Sequence, residues 1–214
     1  MKKTLYSLML NDDVVREIDR TAHRMGTNRS QLINRILADY VGFATPESRM
    51  EEIFRVLEEL VSPSRELVSY FAPNTNSFSL KSSLDYKYRP TVKYEIVLSR
   101  DEDRIGELNV IFRTQSDALI RSLTGFLRFW KSLEDHYLPR LDGSAREYAL
   151  YDGKFVRSLA RPEREFTSEE LAEALSDYVQ LFDRAMKDYV VGAKTESELE
   201  DDYRAALEKA ALYL

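Results

Sequence analysis

The first 43 residues constrain this chain more than any other stretch. They open with KTLYSLML (residues 3–10), a strand-like run in which Leu5, Tyr6, Leu8, Met9 and Leu10 leave only Thr4 and Ser7 to mark a wet side. A half-exposed strand alternates apolar and polar residues, so both faces of this one need company. The following NDDVVREIDRTAHRMG puts Val14, Ile18, Ala22 and Met25 on one helical face. Asn11 or Asp12 can cap its start, Asp12 and Asp13 suit the positive end of its dipole, and Gly26 can end it. TNRSQLINRILADYVGF predicts a second helix. Asn28 is its cap with Gln31 three residues on, and Leu32, Ile33, Ile36, Leu37, Tyr40 and Val41 form its apolar face.

A strand of about eight residues and two helices of about 14 are too few to bury their own apolar faces. A lone edge strand also invites pairing. The simplest solution is a symmetric dimer in which two strands pair as an antiparallel ribbon over four intertwined helices.

These residues resemble the ribbon-helix-helix family of DNA-binding proteins, the Arc, MetJ and CopG class. The likeness rests on the strand ending in Leu10, the Val14, Ile18, Ala22 and Met25 helix, Gly26, and the Asn28-Arg29-Ser30 start of a helix running into Leu32, Ile33 and Ile36. It covers about one fifth of the chain. The resemblance implies a homodimer whose ribbon enters the major groove of double-stranded DNA. Tyr6, Leu8 and Leu10 would then face inward, joining Val14, Ile18, Ala22, Leu32, Ile33, Ile36, Leu37 and Tyr40 in the dimer core. Lys3, Leu5, Ser7 and Met9 would face the bases. Lys2, Thr27, Asn28, Arg29 and Ser30 would meet phosphates, the last four at the positive end of the second helix. The outward set is unusual, because base edges call for hydrogen-bonding side chains. Leu5 and Met9 could touch thymine methyl groups, or they could mark a ribbon that binds protein.

Charge is divided unevenly. Residues 1–43 hold seven Lys and Arg against five Asp and Glu, a balance of +2, whereas the remaining 24 basic and 32 acidic residues leave −8. A polyanion-facing head on an acidic body is the reading this suggests.

The body reads as α+β. A helix from Pro46 carries Met50, Ile53, Phe54, Leu57, Leu60 and Val61, Pro63 interrupts it, and SRELVSYFAP is expected to add a helical turn or two. The helix serves either as a connector or as an extension of the dimer seam. Three alternating runs follow: Phe78, Leu80, Leu84, Tyr86 and Tyr88; then Val92, Tyr94, Ile96 and Leu98; then Leu108, Val110 and Phe112. They predict a three-stranded antiparallel meander with one apolar face. A helix from Ser116 to about His136, ending before Pro139, presents Leu119, Ile120, Leu123, Phe126, Leu127, Trp130 and Leu133 to cover it. EYALYDGKFVRSL predicts a hairpin with a type I′ turn at Asp152-Gly153, Thr167 to Glu170 a capping box opening another helix, and Thr195 the start of a last one. The expected division is a ribbon-helix-helix domain at 1–43, a helical connector at 44–73 and an α+β domain at 74–214 for oligomerisation or effector sensing.

Nothing in the sequence has the form of a catalytic or cofactor motif. There is no cysteine, no Gly-rich phosphate loop, no HExxH and no GxSxG, and the two histidines, His23 and His136, stand far apart. The acidic run Glu196, Glu198, Glu200, Asp201 and Asp202 suits a solvated helix start better than a metal site. Phe78, Tyr86, Tyr88, Tyr94, Phe112, Phe126, Phe129 and Trp130 converge either as a core or as the lining of a small-molecule pocket. No run approaches a membrane span or a secretory leader, so a cytoplasmic protein is expected. The expectation is a non-enzymatic transcriptional regulator that binds palindromic operator DNA as a dimer, without cofactor or metal. A protein partner or small-molecule effector would act through the C-terminal domain. The alternatives are an antitoxin-like or scaffold protein that uses the apolar ribbon, and a plasmid or phage partition or relaxosome accessory factor.

Overall fold

The computed structural model describes residues 4–64, 66–71, 76–100, 104–143 and 145–214. Internal contacts divide the chain into two compact units, Met1–Ser48 and Arg49–Leu214.

In the first unit the earliest regular element is helical. Residues 4–11 form no strand, because a strand exists only as part of a ladder and no segment among the described residues pairs with this one. Helix α1 (Asp12–Arg24) starts where the Asn11 side chain accepts from the Asp13 amide at 2.8 Å, with Asp12 and Asp13 in its first turn. Gly26, at φ 62°, lets the chain reverse. Helix α2 (Arg29–Tyr40) starts under Asn28, whose side chain accepts from the Gln31 amide at 3.0 Å.

The second unit is α+β. Helix α3 (Pro46–Val61), which begins just inside the first unit, buries Met50, Ile53, Phe54, Leu57 and Val61 and leaves Leu60 exposed. Six strands then form one antiparallel sheet: β1 (Leu67–Phe71), β2 (Ser77–Ser83), β3 (Thr91–Leu98), β4 (Gly106–Phe112), β5 (Tyr148–Tyr151) and β6 (Lys154–Leu159), in the order β1-β2-β3-β4-β6-β5. The three strands expected from the alternating runs lie consecutively inside it. Two extensions were not expected: Leu67–Phe71 is a strand rather than helical turns, and the 148–159 hairpin joins the same sheet.

Register places Leu80, Tyr94, Val110 and Phe155 in one row across four strands, and Phe78, Ile96, Leu108 and Arg157 in the next. Helices α4 (Asp117–Asp142) and α5 (Ser168–Val191) supply the rest of this core, with Phe126, Trp130 and Phe182 in edge-to-face and tilted contacts at 5.1–5.6 Å. Helix α6 (Glu196–Lys209) adds Leu199 and Tyr203. Both α5 and α6 open with complete capping boxes, Thr167 with Glu170 and Thr195 with Glu198.

Three local expectations are corrected. Helix α4 runs through Pro139 to Gly143 at φ 70°, because a proline so near the end loses few hydrogen bonds and Leu138 is buried. Strand β2 stops at Ser83, so Tyr88, at φ 68°, is in a turn and exposed instead of on the core face. At the hairpin only Gly153 has positive φ, so the turn is not type I′; a Cβ there would stand 2.6 Å from the Phe112 carbonyl oxygen.

Candidate functional site

The residues expected to bind DNA lie in the first unit, and the single chain leaves most of them open. Lys2 and Lys3 fall outside the described residues. Leu5 and Met9, expected to face outward, are 95% and 103% exposed, and Ser7 is exposed as well. Tyr6, Leu8 and Leu10, expected to face inward, are also exposed, because no ladder or second chain covers them. The expected dimer core is closed only in part. Ala22 and Leu32 are buried, Ile18 and Ile33 are half-buried, and Val14, Ile36, Leu37 and Tyr40 remain exposed. Between α1 and α2 an open groove of about 390 Å³ is lined by Val14, Ile18, Thr21, Leu32 and Ile36.

At the start of α2, Thr27 and Asn28 are tied to Gln31. The Thr27 hydroxyl donates to Gln31 Oε1 at 2.7 Å and Asn28 caps the Gln31 amide, while Ser30 is exposed. Arg29 is turned toward α1, where its Nε donates to Asp19 Oδ1 at 2.7 Å and its Nη2 to Oδ2 at 2.5 Å. The guanidinium holds the Asp19 carboxyl below its usual range. Arg16 is paired with Asp13, and Arg20 with Glu17 at 2.5 Å, so acids of the same unit offset these arginines and Arg29. Sequence reasoning did not find Asp19. It lies ten residues from Arg29, outside any helical repeat.

The second unit holds the densest polar chemistry, in a cluster no motif announced. Glu134, fully buried on α4, accepts from Arg157 Nε at 2.9 and 3.0 Å, from the Tyr148 hydroxyl at 2.8 Å and from the Tyr178 hydroxyl at 2.8 Å. The Tyr178 hydroxyl in turn accepts from Trp130 Nε1 at 3.0 Å, and the Arg157 guanidinium lies 4.5 Å from the Tyr178 ring centre. Burial and the Glu134 charge raise the Tyr148 phenol well above its ordinary range. One signal was readable: Arg157 occupies a core-face position between Phe155 and Leu159 in an alternating strand, where a charge requires a partner.

The expected convergence of aromatics is a core. Phe78, Tyr94, Phe126 and Trp130 are fully buried, and the Tyr94 hydroxyl donates to Asp183 at 2.7 Å. A cavity of about 480 Å³ lies elsewhere, among α5, α6 and residues 212–214, with Arg157, Tyr178 and Tyr203 in its lining. Among the described residues no group of three His, Cys, Asp or Glu could hold a metal ion, and no helix is long and apolar enough to cross a membrane. No family model matches the chain, and neither a curated protein nor a solved structure does.

Proposed function

We propose that the chain is a ribbon-helix-helix transcriptional regulator. In this reading two copies pair through residues 4–43 and bind palindromic operator DNA, while the second unit serves regulation or oligomerisation. One observation carries it. Among the described residues of the Met1–Ser48 unit only Ala22, Leu32 and Ala38 are buried apolar residues, whereas Tyr6, Leu8, Leu10, Val14, Ile36, Leu37 and Tyr40 are exposed. A unit this small with so little core needs a partner, and a second copy supplies the missing strand and helix faces together. The groove between α1 and α2 has the apolar lining such a copy would fill.

DNA is the favoured ligand because pairing two copies brings two ribbons and two α2 starts onto one two-fold-symmetric surface, which a palindrome matches. Arg29 and the exposed amide end of α2 then supply phosphate contacts.

A second reading is favoured by two specific observations. Leu5 and Met9 are almost wholly exposed, and Arg16, Arg20 and Arg29 are paired within their own unit, which weakens the field toward a polyanion. On that reading the ribbon of the dimer grips a protein, as an antitoxin or scaffold would.

Sedimentation equilibrium and electrophoretic mobility shifts against DNA from upstream of the gene test the proposal. A dimer that shifts a palindromic fragment at well below about 1 µM, with strong salt dependence, is expected. A monomer overturns both readings. A dimer with no salt-sensitive shift leaves the protein-binding reading.

A further inference from the structure

The geometry points to a binding site for a small aromatic or branched carboxylic acid in the second unit, in the cavity among α5, α6 and residues 212–214. Its volume of about 480 Å³ falls within the usual span of small-molecule pockets. Side chains such as Leu181, Ala185 and Ala206 supply an apolar wall.

Two buried polar residues line the same space with hydrogen-bonding capacity left over. Tyr203 is only 2% exposed, yet its hydroxyl makes no hydrogen bond among the described residues. That oxygen is not one of the fully buried polar atoms, so it is reached from the cavity that Tyr203 lines. Arg157, 1% exposed, spends Nε–H on Glu134, one Nη1–H on the Ser158 carbonyl and one Nη2–H on the Leu214 main-chain oxygen. A guanidinium has five N–H groups, so one remains on each terminal nitrogen. Donors of this kind call for acceptor oxygens, and a carboxylate offers the most in the least volume.

The charged lining is balanced: outside Arg157, which is paired with Glu134, three cations (Arg184, Lys194 and Lys209) face three acids (Asp177, Asp188 and Asp202). Lys194 is bound up with Asp188 and Asp202, while Arg184 and Lys209 make no ion pair among the described residues and are the cations an entering anion would meet. Three aromatic or aliphatic surfaces, Tyr178, Leu181 and Tyr203, select an apolar body behind that head. This site does not depend on how the first unit binds, so its failure leaves the DNA reading as it stands.

The chain carries its own reporter. Trp130 is the only tryptophan, its Nε1 donates to the Tyr178 hydroxyl, and its ring lies 5.2 Å from that of Tyr203. The probes are 3-phenylpropanoate and 4-methylpentanoate, each beside its uncharged amide, titrated into the full chain with Trp130 fluorescence and calorimetry as readouts. At least one acid is expected to bind saturably and its amide about tenfold more weakly, the difference one charge-assisted contact makes. Ala206→Phe should abolish binding by filling the cavity. Arg184→Glu and Lys209→Glu, both at exposed positions, should weaken the acid but not the amide. Tyr203→Phe should weaken it severalfold with an unchanged thermal midpoint. No saturable binding by either acid, equal binding of acid and amide, or full binding after Lys209→Glu and Arg184→Glu together would each overturn the assignment.

Discussion

Arg29 and Asp19 are joined at two points, Nε to Oδ1 at 2.7 Å and Nη2 to Oδ2 at 2.5 Å, so the start of α2 is tied to the middle of α1. The same fork geometry suits a phosphate, which makes Asp19 a competitor for any DNA backbone arriving at the α2 start. Asp19→Asn is expected to raise affinity for operator DNA several-fold and to steepen the plot of log K against log salt by about one. Arg29→Ala should lower affinity and flatten the slope by about one. Both residues are about half exposed, so folding stability should change little in either variant. Fluorescence anisotropy across a salt series measures affinity and slope, and urea unfolding measures stability; an identical slope in both variants would confine the pair to holding the helices together.

The first unit should be unable to stand without its partner. Helices of 13 and 12 residues are at the edge of what persists alone in water, where isolated helices shorter than ~12–15 residues are marginal. Ile36→Glu puts a charge on the exposed apolar face of α2. It is expected to turn the dimer into a monomer in sedimentation equilibrium and to reduce helicity by circular dichroism, while the second unit keeps its cooperative melt. The pair Leu5→Lys with Met9→Lys should instead stay dimeric and bind non-sequence-specific DNA more tightly. Loss of the dimer in that pair would show that the outward face is itself part of the interface.

The Glu134–Arg157 pair is the most exacting contact in the second unit, because both side chains are taken almost wholly out of water. Removing one partner strands a buried charge, at a cost of about 3–5 kcal/mol. Glu134→Ala is therefore expected to lower the urea midpoint sharply, and Glu134→Leu combined with Arg157→Met to recover most of the loss, since apolar side chains of similar volume need no partner. A double variant as unstable as Glu134→Ala would place the penalty in the Tyr148 and Tyr178 hydroxyls, which also lose their acceptor.

Helix starts were legible because they are written locally. Asn11, Asn28, Thr167 and Thr195 each cap amides two or three residues away. Alternation likewise revealed β3, where every second residue is buried. What escaped depends on distant partners. Leu67–Phe71 has no clear alternation and becomes a strand only by pairing with β2, and residues 4–10 have no partner strand among the described residues. Thr167 and Thr195 announced α5 and α6, but the Tyr178 and Tyr203 hydroxyls and the space beside them follow from how α5, α6 and the last residues meet. Charge sums leave out geometry in the same way: the +2 of residues 1–43 does not reveal that Arg16, Arg20 and Arg29 each face an acid of the same unit.

Alkaline pH should unfold the second unit through its buried phenols. Tyr94 and Tyr178 have pKa values pushed well above the ordinary tyrosine value, first by burial; beside Tyr94 the Asp183 charge adds to the effect, while at Tyr178 the Arg157 charge opposes it. Tyr148 and Tyr203 are raised as well, by burial and the Glu134 charge. In the unfolded chain all four titrate near pH 10. The folded state thus keeps protons that the unfolded state gives up, so the stability from these groups is complete below about pH 10 and declines as pH rises beyond it. Urea midpoints should be flat through neutral pH and fall above 10, with the tyrosinate absorbance of the buried group appearing together with loss of helix signal. Tyr94→Phe should make the decline shallower, since one titrating phenol is gone. A tyrosinate signal from all 13 tyrosines at pH 10 in a still-folded chain would contradict the burial that the sheet and α5 impose on Tyr94.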